Sequence, residues 1–180
     1  LDSGIRLTVS KVTKIKYGTE SPSFPVRIMT STNIAAATNR LPQEANKAIV
    51  TYVGDLAAGS WLSLVDASLN SHNPCVKPTI AAHAADATHS GSIKAGTGTV
   101  VTVPQSTLLD ESKVYTVCYA EATGLANDTT WRDSYIRLQM SKLVDLRHHG
   151  IFHLTNGQIA REGTTNEFIR GALITDVTKQ

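Results

Sequence analysis

The sequence predicts an all-β fold, an antiparallel sandwich of about nine short strands. Three observations carry that expectation. Apolar residues recur at every second position in several short runs, the spacing of half-buried strands. Clusters of Gly, Pro, Asn and Asp separate the runs at short intervals. No stretch of about ten residues or more carries the apolar period of an amphipathic helix.

Composition narrows the class further. The 180 residues suffice for one domain with additional segments and can enclose a real core. Hydrophobic residues make up 41% and charged residues 18%, below the usual quarter, and Thr, Ser, Ala and Asn fill the difference. That balance suits a secreted, extracellular β protein with a hydroxyl-rich surface. A scattered net charge of +2 leaves no electrostatic footprint for nucleic acid or an anionic membrane. No apolar run approaches the roughly 18 residues of a membrane span. The chain opens on Leu1, not Met, which points to a processed product or to a piece of something longer. Cys75 and Cys118 are an even pair and predict one disulfide in an oxidising compartment. Closing a loop of about 44 residues would contribute roughly 4 kcal/mol in the chain-entropy model. Two buried thiols in a cytosolic domain are the alternative.

Taken in order, residues 4–12 alternate Ile5, Leu7 and Val9 against Arg6, Thr8 and Ser10, which predicts a strand. Gly18, Pro22 and Pro25 predict an extended linker over 13–25. A short strand is expected at 26–30. Residues 31–46 are polar and Ala-rich, with one helical turn expected after Pro42. Residues 47–54 and 61–66 form a predicted strand pair across a Gly-containing loop. Residues 70–98 are rich in Asn, Ser, His, Ala and Gly and predict long loops with at most short strands. Strands follow at 99–104, 114–120 and 131–140, then at 151–155 and 168–177. In the strand at 114–120, Tyr115, Val117 and Tyr119 point one way, and Val114, Thr116, Cys118 and Ala120 the other.

Around that strand lies a recognisable arrangement. Leu109 is followed by a turn from Asp110 to Lys113 and then by Tyr115, Val117 and Tyr119. This resembles the E–F corner and F strand of immunoglobulin-like and fibronectin type III sandwiches. Three features depart from antibody domains. Tyr115 precedes Cys118 by three residues instead of two, Cys75 falls in a loop-like stretch, and Trp61 is only a loose candidate for the core Trp. The resemblance implies the sandwich architecture without antibody membership. More broadly, 114–143 resembles tandem modules of secreted cell-surface and appendage proteins of algae and other microbial eukaryotes.

The strongest internal signal is a repeat. Residues 133–143 read DSYIRLQMSKL and residues 2–12 read DSGIRLTVSKV, identical at seven of eleven positions. A weaker echo joins ALITDV at 172–177 to AIVTYV at 48–53. If 131–140 is the last strand of a sandwich, its copy is the last strand of a module whose body lies elsewhere. Such a strand cannot bury its apolar face alone, and its backbone wants a sheet edge. The expected division is therefore a donor-type strand at 1–12, a linker at 13–25, a sandwich module at 26–143 and a C-terminal strand extension at 144–180. The donor residues are Ile5, Leu7, Val9 and Val12, and the matching strand offers Ile136, Leu138, Met140 and Leu143. Pairing of both copies within one sheet of one molecule is the alternative.

Other candidate sites are weaker. Asn127-Asp128-Thr129 is an N-glycosylation sequon in a predicted turn. Ser21, Ser23, Thr30, Ser31 and Thr32 offer hydroxyls for O-glycans, though ordinary surface chemistry is the commoner use. Two histidine groups, His148, His149 and His153, and His83 with Asp86 and His89, are candidate metal ligands. Neither has the tight spacing of a structural site, so no metal and no cofactor beyond covalent glycans is expected. Gly59-Ser60-Trp61 lacks the second glycine of a nucleophile elbow, and 94–99 lacks the Gly-Lys-Ser/Thr of a phosphate loop. Asp110 and Glu111 read as a solvated corner. The expectation is a non-enzymatic structural subunit of an extracellular filament or surface appendage. It would assemble with further copies of itself, head to tail, by N-terminal strand exchange, with no nucleic-acid partner and no membrane span. The alternative is a monomeric or tandem carbohydrate-binding or adhesion module, with Trp61 and Trp131 as a polysaccharide-stacking platform.

Overall fold

In a computed structural model the chain is described at residues 3, 9–17, 27–31, 39–46, 48–143, 145–148 and 151–154, with Arg27 and the last two stretches described as backbone only. Eleven strands are present there: β1 Val12–Tyr17, β2 Arg27–Met29, β3 Arg40–Pro42, β4 Ala48–Gly54, β5 Trp61–Asp66, β6 Ile93–Lys94, β7 Val100–Val103, β8 Tyr115–Ala120, β9 Arg132–Ser141, β10 Asp145–His148 and β11 Ile151–Leu154. They form a four-stranded sheet in the order β2-β1-β4-β7, a five-stranded sheet in the order β3-β9-β8-β5-β6, and a separate hairpin of β10 and β11.

The two larger sheets face each other across one core. Ile15, Val50, Tyr52, Val101 and Val103 from the first sheet meet Leu62, Leu64, Val117, Ile136, Leu138 and Met140 from the second. Each such aliphatic side chain contributes about 1.5–3 kcal/mol when removed from water. The all-β expectation holds, but the arrangement is not wholly antiparallel. β3 runs parallel to β9, pairing Arg40 with Gln139, Leu41 with Met140 and Pro42 with Ser141. Pro42 lacks an N–H, so β3 suits a sheet edge.

The five-stranded sheet is covered on both faces. Tyr115, Val117 and Tyr119 of β8 enter the main core, while Cys118 and Ala120 enter a second cluster with Val65, Cys75, Ala81 and Trp131. The predicted alternation of β8 therefore holds, with both faces buried. The second cluster is built by residues 67–92, where loops with short strands were expected. Instead there is a left-handed turn at Asn70, Ser71 and His72 (φ 49°, 53° and 64°), a 3-10 turn Pro74–Val76 and a one-turn helix Pro78–Ala81. Pro74 and Pro78 each open a turn, where a missing N–H costs nothing. The disulfide Cys75–Cys118, with Cα atoms 5.3 Å apart, pins this segment onto β8.

Several boundaries move. The linker expected over 13–25 gives way to β1, which pairs with both β2 and β4. Lys14 and Lys16 alternate with buried Ile15 and Tyr17, and the prolines that suggested a linker come only later in the chain. β1 thus belongs to the four-stranded sheet although it precedes residue 26, and Val12 is buried at its start. The helical turn expected after Pro42 is a non-helical turn with Asn46 at φ 59°. Leu143 lies past the end of β9 and is exposed, so it is not part of the matching strand. The strand expected at 168–177 lies outside the described residues, as do Ile5 and Leu7.

Four turns share one chemistry. Asp66, Asp86, Asp110 and Asp128 each accept, on one carboxylate oxygen, the backbone N–H and the hydroxyl of the Ser or Thr two residues on, at 2.6–2.9 Å. A short acceptor at this spacing replaces a backbone turn hydrogen bond. Burial opposes ionisation of Asp128. The Thr130 hydroxyl and the N–H groups of Thr130, Gly124 and Thr123 outweigh it and hold the carboxyl at about 2. Asp86 is likewise disfavoured by burial and brought down to about 2 by Thr88 and His89.

Candidate functional site

β9 is not a regular strand. Against β8, Thr116 pairs with Arg137 and Cys118 with Asp133, so two steps on β8 face four on β9. The extra residues form a bulge, with Tyr135 in the left-handed region at φ 64°. Asp133 holds the bulge. Its carboxylate accepts the Tyr135 N–H at 2.6 Å, the Thr116 hydroxyl at 2.8 Å and two Arg137 N–H groups at 2.9 and 2.7 Å. The Arg137 side chain is 17% exposed and that of Asp133 8%, so the pair is a bidentate, nearly enclosed contact. Arg137 is thus paired with an acid but largely enclosed.

Each residue that builds this bulge has a counterpart in the copy at 2–12. Asp2 and Arg6 stand in the places of Asp133 and Arg137, and Gly4 stands where Tyr135 has positive φ. Glycine is the residue that enters this region without steric cost. Asp2, Gly4 and Arg6 lie outside the described residues, so the match there is one of sequence.

Further along, the match is structural. The Ser141 hydroxyl donates to the Leu143 carbonyl at 3.0 Å, and the Ser10 hydroxyl donates to the Val12 carbonyl at 2.8 Å. Ser10 and Ser141 are equivalent positions, as are Val12 and Leu143. Burial, however, is reversed. Met140 is 1% exposed while its counterpart Val9 is 86% exposed. Val12 is 1% exposed while its counterpart Leu143 is 57% exposed. Of the named strand residues, Ile136, Leu138 and Met140 do enter the core.

The other expected sites fall as follows. Asn127 and Thr129 are exposed on the turn capped by Asp128, open to a glycan. Thr30 is half-buried and Ser31 exposed, and Ser21, Ser23 and Thr32 lie outside the described residues. Trp131 is buried and donates its indole N–H to the Leu125 carbonyl at 3.1 Å, so it offers no face to a sugar. Trp61 packs over Gly124, where a Cβ would come within 2.3 Å of its ring, and the Lys94 ammonium sits 5.7 Å from its centre. His83, Asp86 and His89 do come together. His89 Nδ1 lies 3.0 Å from one Asp86 oxygen, and His83 Nδ1 3.6 Å from the other. The oxygen facing His89 is already the turn acceptor for Thr88, and the two rings lie with centres 4.6 Å apart at a 33° tilt; the three side chains bring ligand atoms within 4.8 Å of one another, close enough to hold a metal ion. The side chains of His148, His149 and His153 lie outside the described residues.

A void of about 10 Å³ lies among core side chains such as Leu41, Leu62 and Val117. An open groove of about 510 Å³ runs past Asp66, Ser68, His72, Ser112, Lys113 and Arg137. Its charges are already paired, Lys113 with Asp66 at 2.6 Å and Arg137 with Asp133. Comparison with protein-family models, with curated proteins and with solved structures finds no match.

Proposed function

We propose that this chain is a repeat unit of a secreted structural filament or surface appendage, built of immunoglobulin-like modules that follow one another head to tail. The single observation that carries the reading is the reversed burial of the two strand copies. Among the described residues Val9 is exposed although its counterpart Met140 is in the core, and Leu143 is exposed although its counterpart Val12 is buried. A preceding module would receive Val9 and a following one would receive Leu143.

Three features support the module type. The run β9-β8-β5-β6 has the order of the G, F, C and C′ strands, and β4 and β7 pair as B and E do. The Tyr115 hydroxyl donates to the Asp110 carbonyl at 3.1 Å and the Ala87 carbonyl at 2.6 Å, in the manner of a tyrosine corner. The disulfide favours an oxidising compartment, and exposed Asn127 supplies a glycan site there.

Strand exchange between separate chains is the second reading, and exposed Val9 favours it too. It asks for an acceptor lacking its last strand, whereas β9 fills that place from its own chain. Sedimentation velocity separates the two. Covalent succession predicts that the full chain sediments as a monomer, with or without residues 1–8. Strand exchange predicts concentration-dependent polymers that the truncation abolishes.

A further inference from the structure

We propose that successive modules are joined as a stiff rod, through a corner at Ser10, Lys11 and Val12 that seats the preceding module's last strand in a socket on this one. This rests on the repeat reading above and adds the mechanical character of the joint.

The socket is formed by the ends of β4 and β8, and it holds the Lys11 backbone at both its N–H and its carbonyl. The Lys11 N–H donates to the Tyr119 hydroxyl oxygen at 3.0 Å, and its carbonyl accepts the Leu56 N–H at 3.2 Å. Its ammonium pairs with Glu121 at 2.6 Å, and that contact raises the lysine pKa. Gly54 closes the fourth side at φ 138°, where a Cβ would stand 2.1 Å from the Lys11 carbonyl oxygen. Both the backbone angle and the close approach require glycine there. Ser10 stiffens the corner from within, donating to the Val12 carbonyl and accepting the Val12 N–H at 3.2 Å.

There is no slack in this path. Val9 and Val12 are three residues apart, about 10 Å of extended chain, and Val12 already lies in this module's core. Val9 is the counterpart of Met140 and, on the repeat reading, enters the core of the preceding module. Two cores that close, with the intervening backbone hydrogen-bonded on both sides, leave no flexible linker of the Gly/Ser kind. At the other end the same corner recurs at Ser141, Lys142 and Leu143. There Lys142 turns back to pair with Glu111, and Leu143 stays exposed. β10 and β11 then form an antiparallel hairpin, as β1 and β2 do after the first copy.

The test is a spliced chain in which residues 12–132 run directly into residues 2–180, so that the copy at 2–11 takes the place of β9 in the leading module. Small-angle scattering is compared with that of the same chain carrying Gly-Ser-Gly between Ser10 and Lys11, and with a Tyr119→Phe, Glu121→Gln variant of the trailing module. The stiff joint predicts that the parent fits one module orientation and that the insertion fits a broad distribution. The double variant should broaden the parent's distribution partway. If parent and insertion give the same broad distribution while both modules resist protease, the stiff joint is overturned and the repeat reading stands. If the leading module is digested as an unfolded chain, the repeat reading fails, and the joint with it.

Discussion

The two copies of DSxIRLxxSK differ in burial at two equivalent pairs of positions. In 133–143 the eighth position, Met140, is in the core and the eleventh, Leu143, is in water. In 2–12 the eighth position, Val9, is in water and the eleventh, Val12, is inside. A strand does not carry its own burial. Each position is enclosed only where a module body is present to receive it, since half-buried strands take most of their stability from what they pack against. Under the proposed repeat, the motif is a crossing point between two cores, each copy showing the half that this chain supplies.

The comparison can be broken most forcefully at its eighth position. Met140→Ala should cost about 2–5 kcal/mol in urea unfolding, while Val9→Ala should stay within about 0.5 kcal/mol. Similar losses at both sites would show that Val9 already has a core. Next, Asp133→Ala removes the acceptor for Tyr135, Thr116 and Arg137 together and leaves Arg137 nearly enclosed without its partner. A loss of about 3 kcal/mol is expected, and a neutral result would remove the bulge from the account. At the eleventh position the asymmetry should invert. Val12→Ala should cost about 2 kcal/mol and Leu143→Ala almost nothing in the single chain, measured the same way.

Acid should act through the aspartates that cap the turns. Asp86 and Asp128 are held at about 2 in the folded chain, against about 3.9 when unfolded. Between those values the unfolded chain binds more protons, so stability is present above about pH 4 and is lost as pH falls towards 2. Each group should contribute on the order of 1 kcal/mol after solvent screening. Melting temperatures from pH 5 to pH 2 should show the fall, and Asp128→Asn should flatten it. The smallest expected effect is the most diagnostic of the repeat. Tyr135→Gly replaces a residue at φ 64° by the one that the copy carries at Gly4. It should stabilise by up to about 1 kcal/mol, and a clear loss would mean that the exposed tyrosine ring holds the bulge.

Much of this was legible in the residues. The alternation of β8, the disulfide, the Leu109–Tyr115 corner and the repeat itself were all readable, because each is a short-range pattern with a fixed period or partner. Three things were not. β1 was hidden because Lys14 and Lys16 made its outer face resemble a polar linker, and the prolines beyond coloured the whole window. The parallel pairing of β3 with β9 depends on which strand edge is free, which no local pattern states. The packing of 67–92 on the outer face of β8 follows from tertiary burial of Cys118 and Ala120, not from local propensity. One missed signal was present throughout. Asp followed two residues later by Ser or Thr marks four turns, and the spacing of Asp133 to Arg137 around a left-handed residue marks the bulge.

Labelling of a thiol introduced by Val9→Cys tests the central claim most directly. It is compared in the chain alone and in the spliced chain whose leading module lacks β9. The account predicts fast labelling in the chain alone and protection, comparable to that of a thiol introduced by Met140→Cys, in the spliced chain. Equal, fast labelling in both would mean that residues 2–11 are not the last strand of a preceding module.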